Sequence, residues 1–158
     1  MSTRIDFANV APGAIRAMFG LQKYVNESGL EHSLLRLVEM RASQINGCAY
    51  CLDMHSKDAR AAGETEQRLY LLNAWREAPF YTERERAALE WTESMTLVSE
   101  NQVPDEIYAA VRKHFSEEEL VSLSLAIVAI NGWNRLSIGF RPEVGSYQPA
   151  AQATAKHA

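Results

Sequence analysis

The chain has 158 residues, of which 47% are hydrophobic and 23% are charged. These proportions are ordinary for a globular protein, and the length suits one domain with its own core. The formal net charge is −4 and no basic run is present, which argues against a nucleic-acid-binding surface. We therefore expect no nucleic-acid partner.

The chain is also expected to be cytoplasmic and to have no membrane partner. Its first residues are polar, and no apolar segment typical of a signal peptide follows them. The most apolar run, residues 120–130, is shorter than the roughly 20 residues that a membrane-spanning helix needs. Structural disulfides are rare in the cytoplasm, so a close pair of cysteines there indicates catalysis or metal binding.

Apolar residues recur at helical spacing along nearly the whole chain, and no segment alternates for long enough to predict a strand. The pattern predicts an all-α bundle of about six to seven helices. These helices cover residues 12–28, 31–46, 48–62, 65–72, a segment from 82, a segment from 104, and 117–140. The apolar stripe of the first comprises Ile15, Met18, Phe19 and Val25. Residues 73–81 are expected to form a loop anchored by Trp75.

The second predicted helix carries a polar stripe that leads toward the cysteines. Its members, spaced by three, four and three residues, are Arg36, Glu39, Ser43 and Asn46. Such a stripe is commonly a solvated helix face. Because this stripe leads to Cys48, we favour a functional role for it.

The last predicted helix, residues 117–140, is apolar almost all round between residues 120 and 130. We expect that part to be buried on every side, within the chain or against another subunit. We assign residues 1–142 to one domain. Residues 143–158 form a C-terminal tail that is frayed or laid on a neighbouring subunit.

The chemistry of the chain is concentrated in a C-x-x-C pair, Cys48 and Cys51, followed by His55. In a helix these three residues share one face. The thiolate is the nucleophile, and the first turn of a helix favours negative charge. His55 can accept a proton from Cys51 or stabilise its thiolate. A peroxide would oxidise one sulfur to a sulfenic acid, and the other would close a disulfide. This argument does not choose between the sulfurs, although Cys48 is nearer the helix start.

Three other interpretations of the pair are weaker. A thioredoxin-like oxidoreductase needs a strand before Cys48, and none is predicted. A structural zinc site needs four ligands, and only Cys48, Cys51 and His55 have suitable spacing. Inert buried cysteines are the third alternative. The remaining histidines and the tryptophans are expected to be surface, capping or packing residues; they are His32, His114, His157, Trp75, Trp91 and Trp133.

The stretch ASQINGCAYC, residues 42–51, resembles the AhpD-like alkylhydroperoxidases of the carboxymuconolactone decarboxylase superfamily. His55 and residues 74–77, 83–89 and 131–135 extend the resemblance over about residues 10–141. The resemblance implies an all-α subunit that assembles into trimers or hexamers. It also implies reduction of hydrogen peroxide or small organic hydroperoxides without a metal, flavin or other cofactor. A dithiol or lipoyl-type carrier is the implied reductant.

The resemblance also implies residue roles. Cys51 would be the peroxidatic cysteine, Cys48 the resolving cysteine and His55 a proton relay. Tyr50 stands where well-studied members have a histidine, and it could shape the pocket beside Met54.

The chain departs from the family pattern at a second position. The family places a glutamate twelve residues before the first cysteine, and that position is Arg36 here. We predict that Glu39 takes over the carboxylate role, with Arg36 as its ion-pair partner. The alternative is that Glu39 makes only a surface pair. Ser43 and Asn46 are expected to be neighbours of the pocket or the relay.

Two other functions stay open. One is a non-catalytic redox-sensing or partner-binding module in which the disulfide switches a subunit contact. The other is a lyase of the carboxymuconolactone decarboxylase type, although those members lack the cysteine pair. Asn131 and Arg135, four residues apart on the last helix, could face a shared pocket, but such pairs more commonly cap a helix end.

Overall fold

The structure is a computed structural model that describes residues 2–149. Within that range the chain forms helices and no strand, which confirms the all-α prediction. The α-helices are α1 Phe7–Val10, α2 Pro12–Asn26, α3 His32–Asn46, α4 Ala49–Ala61, α5 Glu66–Tyr70, α6 Glu83–Thr96, α7 Val98–Asn101, α8 Asp105–Val111 and α9 Glu117–Phe140. One 3-10 turn, Leu72–Ala74, follows α5.

Two helices, α6 and α9, begin at capping boxes. The Thr82 backbone N–H donates to the Glu85 carboxylate at 2.8 Å, and the Glu85 N–H donates back to the Thr82 hydroxyl at 3.2 Å. Ser116 and Glu119 form the same reciprocal pair at the start of α9. Each box satisfies two backbone donors that a helix start leaves without partners.

Helix α3 lies at the centre of the bundle and packs against α4, α6 and α9, while α2 packs against α9. Its core face is formed by Leu34, Leu35 and Val38, each at most 3% exposed. These side chains meet Trp91 of α6 and Ile127 of α9 in the main core cluster. Because α3 contacts three helices, its remaining face is free to line a cavity.

Helix α9 is less completely buried than predicted. Leu123, Ile127 and Ile130 are at most 1% exposed, but Val121 and Val128 are 58% and 49% exposed. By length and composition α9 could cross a membrane, but half of its most apolar stretch is buried inside the chain. It is therefore the core helix of a soluble-type domain, with one apolar edge facing outward.

The apolar stripe predicted for α2 is wrong at one position. Ile15 and Val25 are buried, whereas Phe19 is 60% exposed. Its ring contacts Trp133 of α9, with 5.2 Å between ring centroids. Phe19 therefore lies at the rim of the α2–α9 contact instead of in the core.

The loop between α5 and α6 is anchored by Trp75, which is 4% exposed. A second anchor was not predicted. The Arg86 guanidinium donates to the backbone carbonyls of Trp75, Ala78 and Tyr81. These hydrogen bonds give the backbone carbonyls of the irregular loop the donors that they need.

Residues 143–149 return across α4 of the same chain. The Lys57 ammonium donates to the carbonyls of Gly145 and Tyr147 at 3.2 and 2.9 Å. The Tyr147 hydroxyl donates to the Asp58 carboxylate at 2.8 Å. The domain boundary at residue 142 stays a prediction, and residues 150–158 of the predicted tail lie outside the described residues.

Candidate active site

The joint between α3 and α4 fixes the first cysteine. Gly47 ends α3 with φ +67°, a conformation that glycine adopts without steric cost. The Cys48 N–H then donates back to the Ser43 carbonyl at 3.0 Å. Cys48 is also the N-cap of α4, and its sulfur accepts from the Cys51 N–H at 3.4 Å. One residue therefore closes one helix and opens the next.

Both cysteines are free thiols and each is 1% exposed. They share a small cluster with Ala42 and Ile130, against which Tyr50 and Trp133 pack. Cys51 lines the large cavity of the chain, and Cys48 lies behind it. A molecule in the cavity would therefore meet the sulfur of Cys51 first.

The two thiols differ in acidity. A hydrogen bond from the Cys51 thiol, with a further one from its backbone N–H, lowers the pKa of Cys48 to about 7. Donating that hydrogen bond, together with burial, raises the pKa of Cys51 well above its usual value. Cys48 is therefore the first of the two thiols to lose its proton, and Cys51 keeps its own.

The structure brings Glu39 and His55 together. The His55 Nδ1 lies 3.3 Å from a Glu39 oxygen, and both side chains are almost buried. Gln22 of α2 donates to the other oxygen at 3.2 Å, and the Trp133 indole donates to Gln22 at 3.2 Å. Hydrogen bonds thus link α9 through α2 to Glu39 on α3, and the Glu39 carboxylate contacts His55 of α4.

The predicted ion pair between Arg36 and Glu39 is wrong. Both carboxylate oxygens of Glu39 are occupied, by Gln22 and by His55. Glu39 is also not the surface residue of the alternative, because its side chain is 12% exposed. Arg36 lines the cavity instead.

The lower half of the polar stripe faces α9. The Asn46 amide donates to Asn131 at 3.0 Å and to Asn134 at 2.8 Å, and Asn134 donates to the Ser43 hydroxyl at 3.0 Å. Hydrogen bonds from Asn134 and Ser137 also help to lower the pKa of Cys48. Neither Ser43 nor Asn46 lines the cavity. They support the cysteines from behind.

The cavity has a volume of about 820 Å³. Its apolar wall is formed by Ile5, Phe7, Ile15, Phe19, Leu35, Tyr50, Met54 and Trp133. Its polar wall includes Cys51, His55, Glu39, Arg36 and His32. His32 is exposed and Trp133 packs against the cysteine cluster, as expected, and both also border the cavity. Within residues 2–149, no three His, Cys, Asp or Glu side chains are arranged to hold a metal ion.

Three residues at the site, Asn134, Gln22 and Ser137, were not assigned from the sequence. Asn134 lies in a segment that carries the family resemblance, so it could have been found. Gln22 and Ser137 had no such signal, because only the packing of α2 and α9 brings them to the site.

The all-α fold and the cysteine pair at a helix joint define the class of protein. The carboxymuconolactone decarboxylase family profile matches residues 12–94, and the chain belongs to that family as an AhpD-like member. YdfG, an uncharacterised protein of Bacillus subtilis (strain 168), is 48% identical over 138 residues, covering 87% of this chain and 94% of YdfG.

Two solved structures are similar to this chain in fold. ATU0492 from Agrobacterium tumefaciens is described as a protein of unknown function and a candidate AhpD antioxidant defence protein. It matches with a TM-score of 0.87 at 47% identity, over 94% of this chain and 99% of that one. The debrominase Bmp8 matches with a TM-score of 0.75 at 21% identity, over 87% and 74%. That second likeness concerns the fold alone.

Proposed function

We propose that the protein is a thiol-dependent peroxidase in antioxidant defence. It reduces hydrogen peroxide or small organic hydroperoxides through a Cys48–Cys51 dithiol and disulfide cycle. The observation that supports this best is the position of Cys51. Cys51 borders a large cavity, a second thiol accepts hydrogen bonds from it, and an imidazole–carboxylate pair lies one helical turn away.

The first step oxidises Cys51. Its proton passes to His55, which the Glu39 carboxylate orients and stabilises as it gains charge. The Cys51 thiolate attacks the terminal peroxide oxygen, and the O–O bond breaks. The sulfur becomes a sulfenic acid, and the departing alkoxide takes the proton from His55 to leave as an alcohol.

The second step closes the disulfide. The Cys48 thiolate attacks the sulfenic sulfur and expels hydroxide, which takes a proton from solvent and leaves as water. The pair has then given two electrons to the peroxide. A dithiol reductant, of which a lipoyl carrier is one kind, returns them and becomes a disulfide itself.

The acidity of Cys48 suits this resolving role. A thiol with a pKa near 7 is about half ionised at neutral pH, and its thiolate attacks without further activation. The raised pKa of Cys51 means that the attacking thiolate forms only when a base accepts its proton. This is the task that we assign to His55.

The setting of the enzyme forms part of the proposal. A pair that must be reduced after each turnover suits the reducing cytoplasm. We also propose a homo-oligomer, trimeric or hexameric. Val121 and Val128, seven residues apart on α9, expose an apolar edge that a second copy would cover. Light scattering of the purified protein tests the oligomer, and a monomeric mass would refute it.

The deciding experiment combines turnover with intact mass. Wild type, Cys48→Ser and Cys51→Ser are each treated with one equivalent of cumene hydroperoxide. We expect a disulfide in wild type, a trapped sulfenic acid in Cys48→Ser and no oxidation in Cys51→Ser. A sulfenic acid formed only in Cys51→Ser would reverse the two roles. Sustained consumption of dithiothreitol must also require both cysteines. A single oxidation without turnover would support a redox sensor instead.

A further inference from the structure

The cavity beside Cys51 is much larger than hydrogen peroxide requires. Its 820 Å³ lies within the range of roughly 300–1,000 Å³ typical of sites for drug-sized ligands. A molecule the size of water occupies only about 30 Å³. The walls are mainly apolar, with Phe7, Ile15 and Leu35 among them. A substrate that fills this space therefore has a substantial apolar body.

One charged group on the wall has no partner within the part of the chain that the structure describes. Arg36 is partly buried and makes no hydrogen bond or ion pair there. A guanidinium stays charged at every physiological pH and carries five donors, so a site beside apolar walls leaves it poised for an anion. The neighbouring carboxylate of Glu39 makes no ion pair with Arg36, and its two oxygens contact His55 and Gln22 instead.

The acidic groups on the same wall are mostly engaged elsewhere. Asp58 accepts from the Tyr147 hydroxyl, and Asp6 accepts from Asn9 near the start of α1. Glu143 is exposed to solvent at the cavity rim. The remaining cationic candidate, His32, lies one helical turn before Arg36 and on the same wall. The polar end of the cavity therefore favours an anion over a cation.

The positions of Arg36 and Glu39 on α3 show how the polar end of the cavity lies relative to the Cys51 thiol. Arg36 precedes Glu39 by three residues, or about 4.5 Å of helix rise. Glu39 contacts His55, which follows Cys51 by one turn of α4. Arg36 and Cys51 thus border one cavity, with the imidazole–carboxylate pair between them. A ligand could reach both at once.

We propose that this cavity binds hydroperoxides with an apolar body and one carboxylate, and that Arg36 binds the carboxylate. Planar guanidinium and carboxylate groups form two parallel hydrogen bonds, which fix orientation as well as affinity. The apolar body packs on Phe19, Met54 and Trp133, and the peroxide end faces Cys51. The assignment of the peroxide end rests on the proposed peroxidase function, whereas the assignment of the carboxylate end does not.

Kinetics test the complete proposal. Linoleic acid hydroperoxide is compared with its methyl ester, and ring-carboxylated cumene hydroperoxide with cumene hydroperoxide itself. The two pairs separate a fatty-acid source from an aromatic-acid source. In Arg36→Gln we expect KM to rise about 10- to 100-fold for the acids, with kcat little changed and the neutral partners unaffected. Arg36→Lys should recover part of the loss. Arg16→Gln, an exposed arginine on α2 outside the cavity wall, is the control.

A binding measurement separates this inference from the peroxidase proposal. Calorimetry with Cys51→Ser compares decanoate with 1-decanol and 4-isopropylbenzoate with cumene. We expect at least one acid to bind more tightly than its neutral partner, and Arg36→Gln to abolish the difference. Absence of turnover with every hydroperoxide would refute the peroxidase while leaving this result standing. Equal binding of acid and neutral partner would overturn the role of Arg36, whatever the turnover.

Discussion

The contact between Glu39 and His55 gives the sharpest prediction about the site. Replacing Glu39 by Gln keeps the shape of the side chain and an oxygen that can still accept from Gln22. It removes the negative charge 3.3 Å from the His55 Nδ1. The variant should therefore fold normally and lose only the support that the carboxylate gives to a protonated imidazole.

The size of the loss follows from the burial of the pair. The side chains are 11% and 12% exposed, so water screens the contact little. We take the loss of this charge contact as about 1.5–3 kcal/mol, the range for hydrogen bonds to charged groups. Because each 1.36 kcal/mol is a factor of ten in rate, kcat/KM for a hydroperoxide should fall about 10- to 150-fold.

The assay is hydroperoxide-dependent consumption of dithiothreitol, with thermal unfolding measured alongside it. Glu27→Gln is the matched control, since Glu27 is exposed at the C-cap of α2 and pairs only with Lys23. Its activity should equal that of wild type. If Glu39→Gln retains activity within about twofold of wild type, the carboxylate has no part in the proton relay and the geometry is structural only.

Three further predictions concern the thiols, the glycine between α3 and α4, and the loop between α5 and α6. Absorbance at 240 nm should show one thiolate, that of Cys48, titrating near pH 7 in the reduced protein, while Cys51 stays protonated. The free energy of unfolding should then rise from pH 7 to 9, because only the folded state loses a proton there, and fall above that range. Gly47→Ala should lower the free energy of unfolding, measured by urea denaturation, by about 1–2 kcal/mol, because the φ of Gly47 is +67°. Gly20→Ala is the control and should be neutral or stabilising, because Gly20 lies inside α2 with open space around it. Arg86→Lys should cost about 2 kcal/mol by the same measurement, because it breaks several hydrogen bonds to loop carbonyls, and an unchanged midpoint would contradict that anchoring role.

Local chemistry made much of the site predictable from the sequence. Gly47 ends a helix because only glycine adopts its conformation cheaply, and the next residue, Cys48, begins another. The helical spacing of Cys51 and His55 follows at once. The proximity of Glu39 to His55 was predictable too, because the polar stripe on α3 pointed at the joint.

Features that depend on the contact of distant helices were not predictable. Arg36 and Glu39 are one turn apart, and a pair between them is the natural expectation for an isolated helix. The structure breaks it because Gln22 arrives from α2, held by Trp133 of α9. Periodicity also placed Phe19 in the apolar stripe of α2, but its ring lies exposed beside Trp133 of α9.

The two sulfurs divide the requirements of a dithiol cycle between them. Cys48 receives the hydrogen bonds that stabilise a thiolate, and it is shielded behind Cys51. Cys51 meets the cavity but holds its proton. A thiolate exposed to the cavity at all times would react with any oxidant that entered. In the proposed cycle the attacking thiolate forms only when His55 accepts the proton. The resolving thiolate then closes the disulfide before a second peroxide can oxidise the sulfenic acid further.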